Sequence, residues 1–444
     1  MSQGITSYAH RVCDHLPQWV RRKTSLVDLP TALTQIHFPD TDETLERAKN
    51  RLSFDEILLL QLGVLQQKRT WQDREARIFK VEDPWLEQML EALPFKLTGA
   101  QLKVLQDIRA DLESGKPMNR LVQGDVGSGK TVIAALGIAL VARSGSQAAI
   151  MAPTGILAEQ HYKNMLRLLT TPVQDKNPED ESDITISEAP LSAEQICLLV
   201  GATPEEEKQR IRNELQTGKI KLVVGTHALI EDPILFQDLQ MVVVDEQHRF
   251  GVEQRAALRA KGENVHLLVM TATPIPRTLA LTIYGDLDLS TINELPAGRQ
   301  PVSTFLLPPS NRERAYSLIR SQIDEGRQAF IIYPLVEESE NSESMAAVEE
   351  YSRLQQEIFP KHNLGLLHGR LKPDEKERVM ADFQCGKHHI LVSTSVIEVG
   401  VDVPNATVML IEGANRFGLA QLHQFRGRGG PGSHASYCLL IPKP

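Results

Sequence analysis

Hydrophobic positions along the chain change their period twice. Residues 1–92 are mostly helical by pattern, with N-cap signals at Asp40-Thr41-Asp42-Glu43 and Ser53-Phe54-Asp55-Glu56, each an N-cap residue with Glu three positions on. The second signal introduces Ile57-Leu58-Leu59-Leu60, then Leu62, Val64 and Leu65, a stretch apolar enough to require a packing partner. From residue 93 to 295, β-rich apolar runs at 121–123, 148–151, 222–224, 241–244 and 267–270 alternate with helical patterns. Strands separated by helices predict a parallel sheet covered on both faces. Leu295-Pro296-Ala297-Gly298-Arg299-Gln300-Pro301 then reads as a linker. A second α/β block follows from 302 to 444, with strands predicted at 329–333, 365–367, 389–393, 408–411 and 436–440.

Two strings in the first block carry chemistry. Gly124-Asp125-Val126-Gly127-Ser128-Gly129-Lys130-Thr131 fits the phosphate-binding loop G-x-x-x-x-G-K-[ST], in which glycines let successive backbone N–H groups point into one concavity. Lys130 is placed to reach the β- and γ-phosphates of ATP, and Thr131 to put its hydroxyl on Mg²⁺. The strand before and the helix after supply the required context, and the helix N-terminus adds partial positive charge. Downstream, the run 241–244 ends in Asp245-Glu246-Gln247-His248. Two acids at the C-terminal edge of a buried parallel strand sit where α/β folds bind ligands. Asp245 can hold a Mg²⁺-bound water, and Glu246 can orient or deprotonate the attacking water.

Composition changes this picture little. The 444 residues allow two or three domains, and 41% hydrophobic content is ordinary for a globular protein. The longest apolar run, 132–142, falls short of the roughly 18 residues needed to span a bilayer, and the N-terminus lacks the pattern of a secretion signal. Cys13, Cys197, Cys385 and Cys438 are widely spaced, so neither a zinc site nor a disulfide framework is predicted. The net charge of −9 shows no basic footprint, yet a groove that tracks phosphates needs only local positive charge. Part of the acidity lies in a polar run at 175–188, read as an exposed insertion within 171–190.

Taken in order, the strings resemble the superfamily 2 helicases and, within them, the RecG family. Asp245-Glu246-Gln247-His248-Arg249-Phe250-Gly251-Val252 is similar to RecG, whereas the related transcription-repair coupling translocases carry an aromatic at the place of Ser128 and a second Glu at that of Gln247. The resemblance implies two tandem RecA-like parallel-sheet domains behind an N-terminal helical segment that resembles the connection between RecG's wedge and motor. It implies that Phe95 and Gln101 hold the adenine, with Asp402 near the ribose. Pro153, Thr154, Gly225, Thr226, His227, Ser393 and Thr394 would contact the DNA backbone. His248, Thr271, Thr273 and Gln424 would couple nucleotide to DNA. Taken singly, Gln101 reads as a surface polar residue, His248 as a satisfied histidine, Thr271 and Thr273 as strand ends, and Thr154 as a helix cap. Their order and spacing give them these roles.

The family's last motif, Q-x-x-G-R-x-G-R, is matched by Gln424, Gly427, Arg428 and Gly430, but Pro431 stands at the final arginine and Gly429 beside it is also unusual. Arg428, and after it Arg426, are the remaining candidates for the cation at the γ-phosphate. The resemblance further implies that the wedge domain and a C-terminal helical hairpin are missing. Three functions follow: an ATP-dependent helicase or translocase remodelling forks and Holliday junctions in repair and recombination; a hydrolysis-impaired ATP- and DNA-binding remnant; and an RNA helicase. The first carries the expectation of a monomer in the bacterial cytosol, associated with the nucleoid and with branched DNA, and not with a membrane.

Overall fold

A buried arginine organises the first part of the chain. In the computed structural model, which describes residues 8–171, 173–174, 186–187, 189–230, 234–246, 252–272, 287–296, 300–334, 348–394, 403–429 and 434–443, the chain divides near residue 73 into two compact units. The first unit holds helices α1 (Gln18–Thr24), α2 (Leu29–His37) and α3 (Asp42–Gln72). The fully buried Arg51 of α3 pairs with Asp55 and, at 2.7 Å, with Asp14. Asp14 also accepts the N–H groups of Leu16 (2.9 Å) and Leu29 (3.0 Å), so one carboxylate ties the leading segment to α2 and α3.

The start signals are partly corrected here. Thr41, not Asp40, caps α3, reciprocally with Thr44, and Ser53 lies inside the same helix. Residues 47–52 hold no Gly or Pro and, Asn50 apart, are good helix formers, so the helix runs through Ser53 and its capping potential goes unused. The apolar stretch predicted to need a partner leaves Ile57, Leu59, Leu60, Leu62 and Leu65 exposed.

The second unit contains two parallel sheets. Helices α4 (Asp83–Glu91) and α5 (Gly99–Glu113) precede β1 (Asn119–Gly124), α6 (Lys130–Ala142), β2 (Gln147–Met151) and α7 (Gly155–Leu169). Val173–Gln174 and Ile186–Ser187, β3 and β4, pair antiparallel at the base of the acidic run, the rest of which lies outside the described residues. Then come β5 (Ile196–Leu199), α8 (Glu205–Gln216), β6 (Leu222–Gly225), β7 (Leu239–Asp245), α9 (Val252–Arg259), β8 (His266–Thr271) and β9 (Asp288–Ile292). Their order is β5-β6-β2-β7-β8-β1-β9, every pairing parallel. β2 and β7 are buried at every position, which is why they read as continuous apolar runs.

The second sheet is built from β10 (Val302–Leu306), α10 (Arg312–Asp324), β11 (Gln328–Tyr333), β12 (Leu364–Leu367), α11 (Pro373–Gln384), β13 (Ile390–Thr394), β14 (Ala406–Glu412), α12 (Leu419–Arg428) and β15 (Ser436–Ile441). Its order is β10-β15-β14-β11-β13-β12, again all parallel. The predicted fold class therefore stands: two tandem α/β lobes behind a helical segment. β5, β9 and β10 add to the strands read from sequence. The core of the first lobe also takes in Phe79, Val81, Trp85 and Met89, from α4 and the segment before it.

The first lobe's sheet contains one buried histidine. His266 Nδ1 accepts the N–H of Met118 at 3.1 Å, and Nε2–H donates to the Arg77 carbonyl at 3.2 Å, a pairing that needs the neutral ring. Burial pushes its pKa down from 6.5 to about 4, with nearby Arg259 adding to the effect and the Arg77 carbonyl opposing it. Because the folded value lies below the unfolded one, stability is complete above about pH 6.5 and falls as the unfolded chain takes up the proton first. Lowering the pH from 7 to 4.5 should therefore cost about 2 kcal/mol at this site. Urea unfolding at the two pH values checks this, and His266→Gln, which keeps an acceptor, should flatten the difference.

Candidate nucleotide site

The loop between β1 and α6 depends on glycines for clearance as well as for dihedral freedom. Gly127 and Gly129 have φ of +72° and +89°, and a Cβ on Gly129 would overlap the Gln101 side-chain amide. A Cβ on Gly124 would likewise overlap the Ser128 hydroxyl. α6 is buried all round from Val132 to Ala142, so its N-terminal Lys130 and Thr131 are fixed by the core of the lobe. Lys130 Nζ donates to the carbonyls of Gly124 (2.8 Å) and Asp125 (2.9 Å). Asp125 Oδ1 accepts the N–H of Val126 at 2.8 Å.

Gln101 is buried, contrary to its reading as a lone surface residue. It forms a reciprocal cap with Thr98 at the start of α5, and its amide donates to the Ser128 carbonyl at 2.8 Å. The start of α5 is held further by Glu294, just past β9, whose carboxylate accepts the Ala100 N–H at 3.0 Å. Phe95, four-tenths exposed, stands before this helix.

β7 delivers Asp245 and Glu246, both nearly buried, and Glu246 has φ of +50°, the left-handed region unusual for a side chain with a Cβ. Asp245 Oδ1 accepts the Glu246 N–H at 3.0 Å, and Oδ2 pairs with His161 Nε2 of α7 at 2.7 Å. Burial pushes the Asp245 carboxyl up, but His161, Lys130 and Arg428 outweigh it and hold the group below the usual carboxylate range. From the second lobe, Arg428 at the end of α12 brings a guanidinium nitrogen to 3.8 Å from Glu246 Oε1. On the same helix His423 and Arg426 face Asp125, at 3.3 and 3.5 Å. Between them a Cβ on Gly427 would come within 2.7 Å of the Val126 side chain.

A cavity of about 90 Å³ results, lined by Val126, Gly127, Lys130 and Thr131, by Leu157, Gln160, His161 and Asn164 of α7, by Asp245, Glu246, Met270 and Ala272, and by Arg428. Among the described residues no group of three or more His, Cys, Asp or Glu side chains could cage a metal. The donors fit Mg²⁺, which keeps most of its waters and takes one or two protein oxygens beside phosphate. Thr131 and Asp245 both line the cavity and could supply those oxygens.

The remaining sequence-assigned residues are scattered. Pro153, Thr154 and His227 are accessible, and Thr154 Oγ1 also caps α7 by accepting the Leu157 N–H at 3.4 Å. Gly225, Thr226, Ser393 and Thr394 are buried, as are Thr271 at the end of β8 and Gln424 on α12. His248, Thr273, Asp402 and Pro431 lie outside the described residues. Sequence reading missed His161, Gln160, Asn164, His423 and Glu294. A signal existed for the first: His161 falls in the apolar stripe Leu157, Ala158, Met165, Leu169, where a histidine is buried and must be paired.

Comparison with known proteins agrees with this arrangement. The DEAD/DEAH box helicase family profile matches residues 98–282, and the helicase conserved C-terminal domain profile matches residues 311–431. The chain is 51% identical over 435 residues to the ATP-dependent DNA helicase RecG of Synechocystis, covering 97% of this chain and 50% of that protein. Identity to RecG of Thermotoga maritima is 46% over 439 residues, covering 99% and 54%, and to that of Escherichia coli 43% over 430 residues, covering 94% and 59%. The chain thus spans about half the length of the curated relatives it matches. A solved structure of RecG bound to a three-way DNA junction superposes with a TM-score of 0.81 at 43% identity, covering 99% of this chain and 56% of that one. Yeast Dbp5 bound to RNA and ADP BeF3 shares the fold alone, at 17% identity and TM-score 0.58.

Steric dependence of the loop can be tested by paired substitutions. Gly129 and Gly145 both have positive φ, but none of the described residues lies within 4 Å of a Cβ at Gly145. Both alanine variants should lose about 1–2 kcal/mol from backbone strain. Only Gly129→Ala should also displace Gln101 and weaken binding of a fluorescent ATP analogue at least tenfold. Thermal unfolding and analogue titration of the two variants separate the effects.

Proposed function

This chain belongs to the RecG family of superfamily 2 helicases, and from that premise we propose that it is the motor part of an ATP-dependent DNA helicase remodelling branched DNA, replication forks and Holliday junctions, in repair and recombination. One observation carries the reading: Lys130, Asp245 and Glu246 of the first lobe and Arg428 of the second converge on one cavity. Groups that come from both lobes act together only while the lobes are closed, and that is how ATP hydrolysis can be tied to movement along DNA.

In this reading the loop N–H groups and Lys130 bind the phosphates of ATP, and Phe95 and Gln101 hold the adenine. Mg²⁺, held by Thr131 and through Asp245, would neutralise phosphate charge as the γ-phosphoryl group leaves. Glu246 orients the water that attacks the γ-phosphorus and takes its proton, as the bond to the β-phosphate oxygen breaks and ADP and phosphate form. Arg428 offsets charge on the transferring group. The accessible Pro153, Thr154 and His227 meet the DNA backbone first, and the buried Thr226, Ser393 and Thr394 become accessible with lobe movement. Backbone contacts suit a motor that steps along any sequence, and they make affinity fall steeply with salt. The protein acts as a monomer on DNA in the bacterial cytosol.

Lys130→Ala should weaken ATP binding, whereas Glu246→Gln should keep ATP and lose turnover. Equal loss of affinity in both would remove this division of roles. Steady-state ATPase with forked DNA, single-stranded DNA and RNA tests the substrate: stimulation should be greatest with the fork, and equal stimulation by RNA would overturn the DNA assignment.

The transition-state cation is a separate prediction. Arg428→Ala should lower kcat by about 10³-fold or more while leaving ATP affinity within a few-fold, since its contact matters most when charge develops. Pro431→Arg, which restores the family's second arginine, should raise kcat above that of the unmodified chain. An Arg428→Ala protein with undiminished kcat would show that another residue supplies the charge.

A further inference from the structure

Helix α7 touches three parts of the proposed machine, and sequence motifs account for only the first. Its N-cap is Thr154, on the loop assigned to the DNA backbone. Ile156, in its first turn, packs against the second lobe's cluster of Phe330, Met409 and Phe425. Two turns on, roughly 10 Å along the axis, His161 holds Asp245 at 2.7 Å. Leu157, Ala158, Met165 and Leu169 pack the helix between into the first lobe's core.

The link at His161 is built to be specific. Asp245 is anchored at both oxygens, one on the Glu246 N–H and the other on the imidazole. An ionised carboxylate only accepts hydrogen bonds, so of the two ring nitrogens it is Nε2, not Nδ1, that must carry a proton here. Among the described residues, that Nδ1 is buried with no hydrogen-bond partner, and so is Oε1 of the neighbouring Gln160, which also lines the cavity. Because Asp245 in turn holds the backbone of Glu246, a shift of α7 turns the proposed Mg²⁺ ligand and the proposed water-orienting acid together.

We infer that His161 is a positioning residue through which α7 transmits DNA contact at Thr154 and second-lobe contact at Ile156 to Asp245, so that DNA stimulation of ATP turnover passes through this one hydrogen bond. The inference rests on the function proposed above. It assigns His161 no contact with ATP or DNA.

Two variants of similar bulk separate positioning from packing. His161→Leu removes the donor, while His161→Gln restores an N–H within reach of Asp245. Two quantities are measured on the full chain: the Mg²⁺ concentration giving half-maximal binding of a fluorescent non-hydrolysable ATP analogue, and the ratio of ATPase rates with and without forked DNA. Thermal unfolding is followed in parallel. His161→Leu should raise the half-saturating Mg²⁺ by roughly 10–100-fold, the usual cost of losing a partner of a metal ligand. It should also abolish most of the DNA stimulation while the KM for ATP and the affinity for the fork stay within about twofold. His161→Gln should recover both quantities to within a few-fold. Unchanged Mg²⁺ dependence and stimulation in His161→Leu would overturn the inference, as would equal loss in both variants with lowered thermal stability, which marks a packing role only. If the unmodified chain shows no DNA-stimulated ATPase, the proposed function falls. The Mg²⁺ titration then decides the His161–Asp245 link alone, and an unshifted midpoint in His161→Leu refutes it.

Discussion

Asp245 and Glu246 stand side by side at the end of a strand buried along its whole length, and a carboxylate in such a place is tolerable only with opposite charge or hydrogen-bond donors around it. The partners come from elements far apart in sequence: Lys130 at the start of α6, His161 in the middle of α7, and Arg428 at the end of α12 in the other lobe. Each of those helices must end or pass at a set distance from the strand. The placement of α6, buried on every side, and of α7, buried along one stripe, follows from that requirement as much as from the apolar core.

Parallel strands make this economical. In both sheets every pairing is parallel, so all strand ends of one sense fall along one edge, and the loops there can be brought together without extra scaffolding. Gly124, Asp245 and Thr271 occupy that edge in the first lobe. The second lobe answers with a single helix, α12, which presents His423 and Arg426 to Asp125 and Arg428 to Glu246. One helix therefore contacts acidic groups in two separate loops of the facing lobe.

What could be read from the sequence was local. The phosphate loop is a run of eight residues, and strands buried on both faces announce themselves as short β-branched stretches such as 241–244. β5, β9 and β10 lie at the margins of their sheets; Ser290 in β9 and Ser303 and Thr304 in β10 break up the apolar signal, and β5 is only four residues long. The cap signal at Ser53 failed because capping potential counts only where a helix has reason to begin. His161 was missed because its meaning depends on a residue more than eighty positions away, and a single histidine on an apolar face ordinarily signals no more than a satisfied core position. Gln101 carries a similar lesson. Its polar side chain is spent on a helix cap and a loop carbonyl, both invisible in composition.

Gly427 of the second lobe faces Val126 of the first so closely that a Cβ there would come within 2.7 Å of its side chain. The position works as a gauge: it sets how near the helix bearing Arg428 can come to the phosphate loop. A methyl group at 427 would be a spacer a single carbon thick. No ionisable group would be lost, yet the helix bearing the guanidinium would have to give way to relieve the contact. The reach of an arginine across this cleft is thus limited by the smallest residue on its helix.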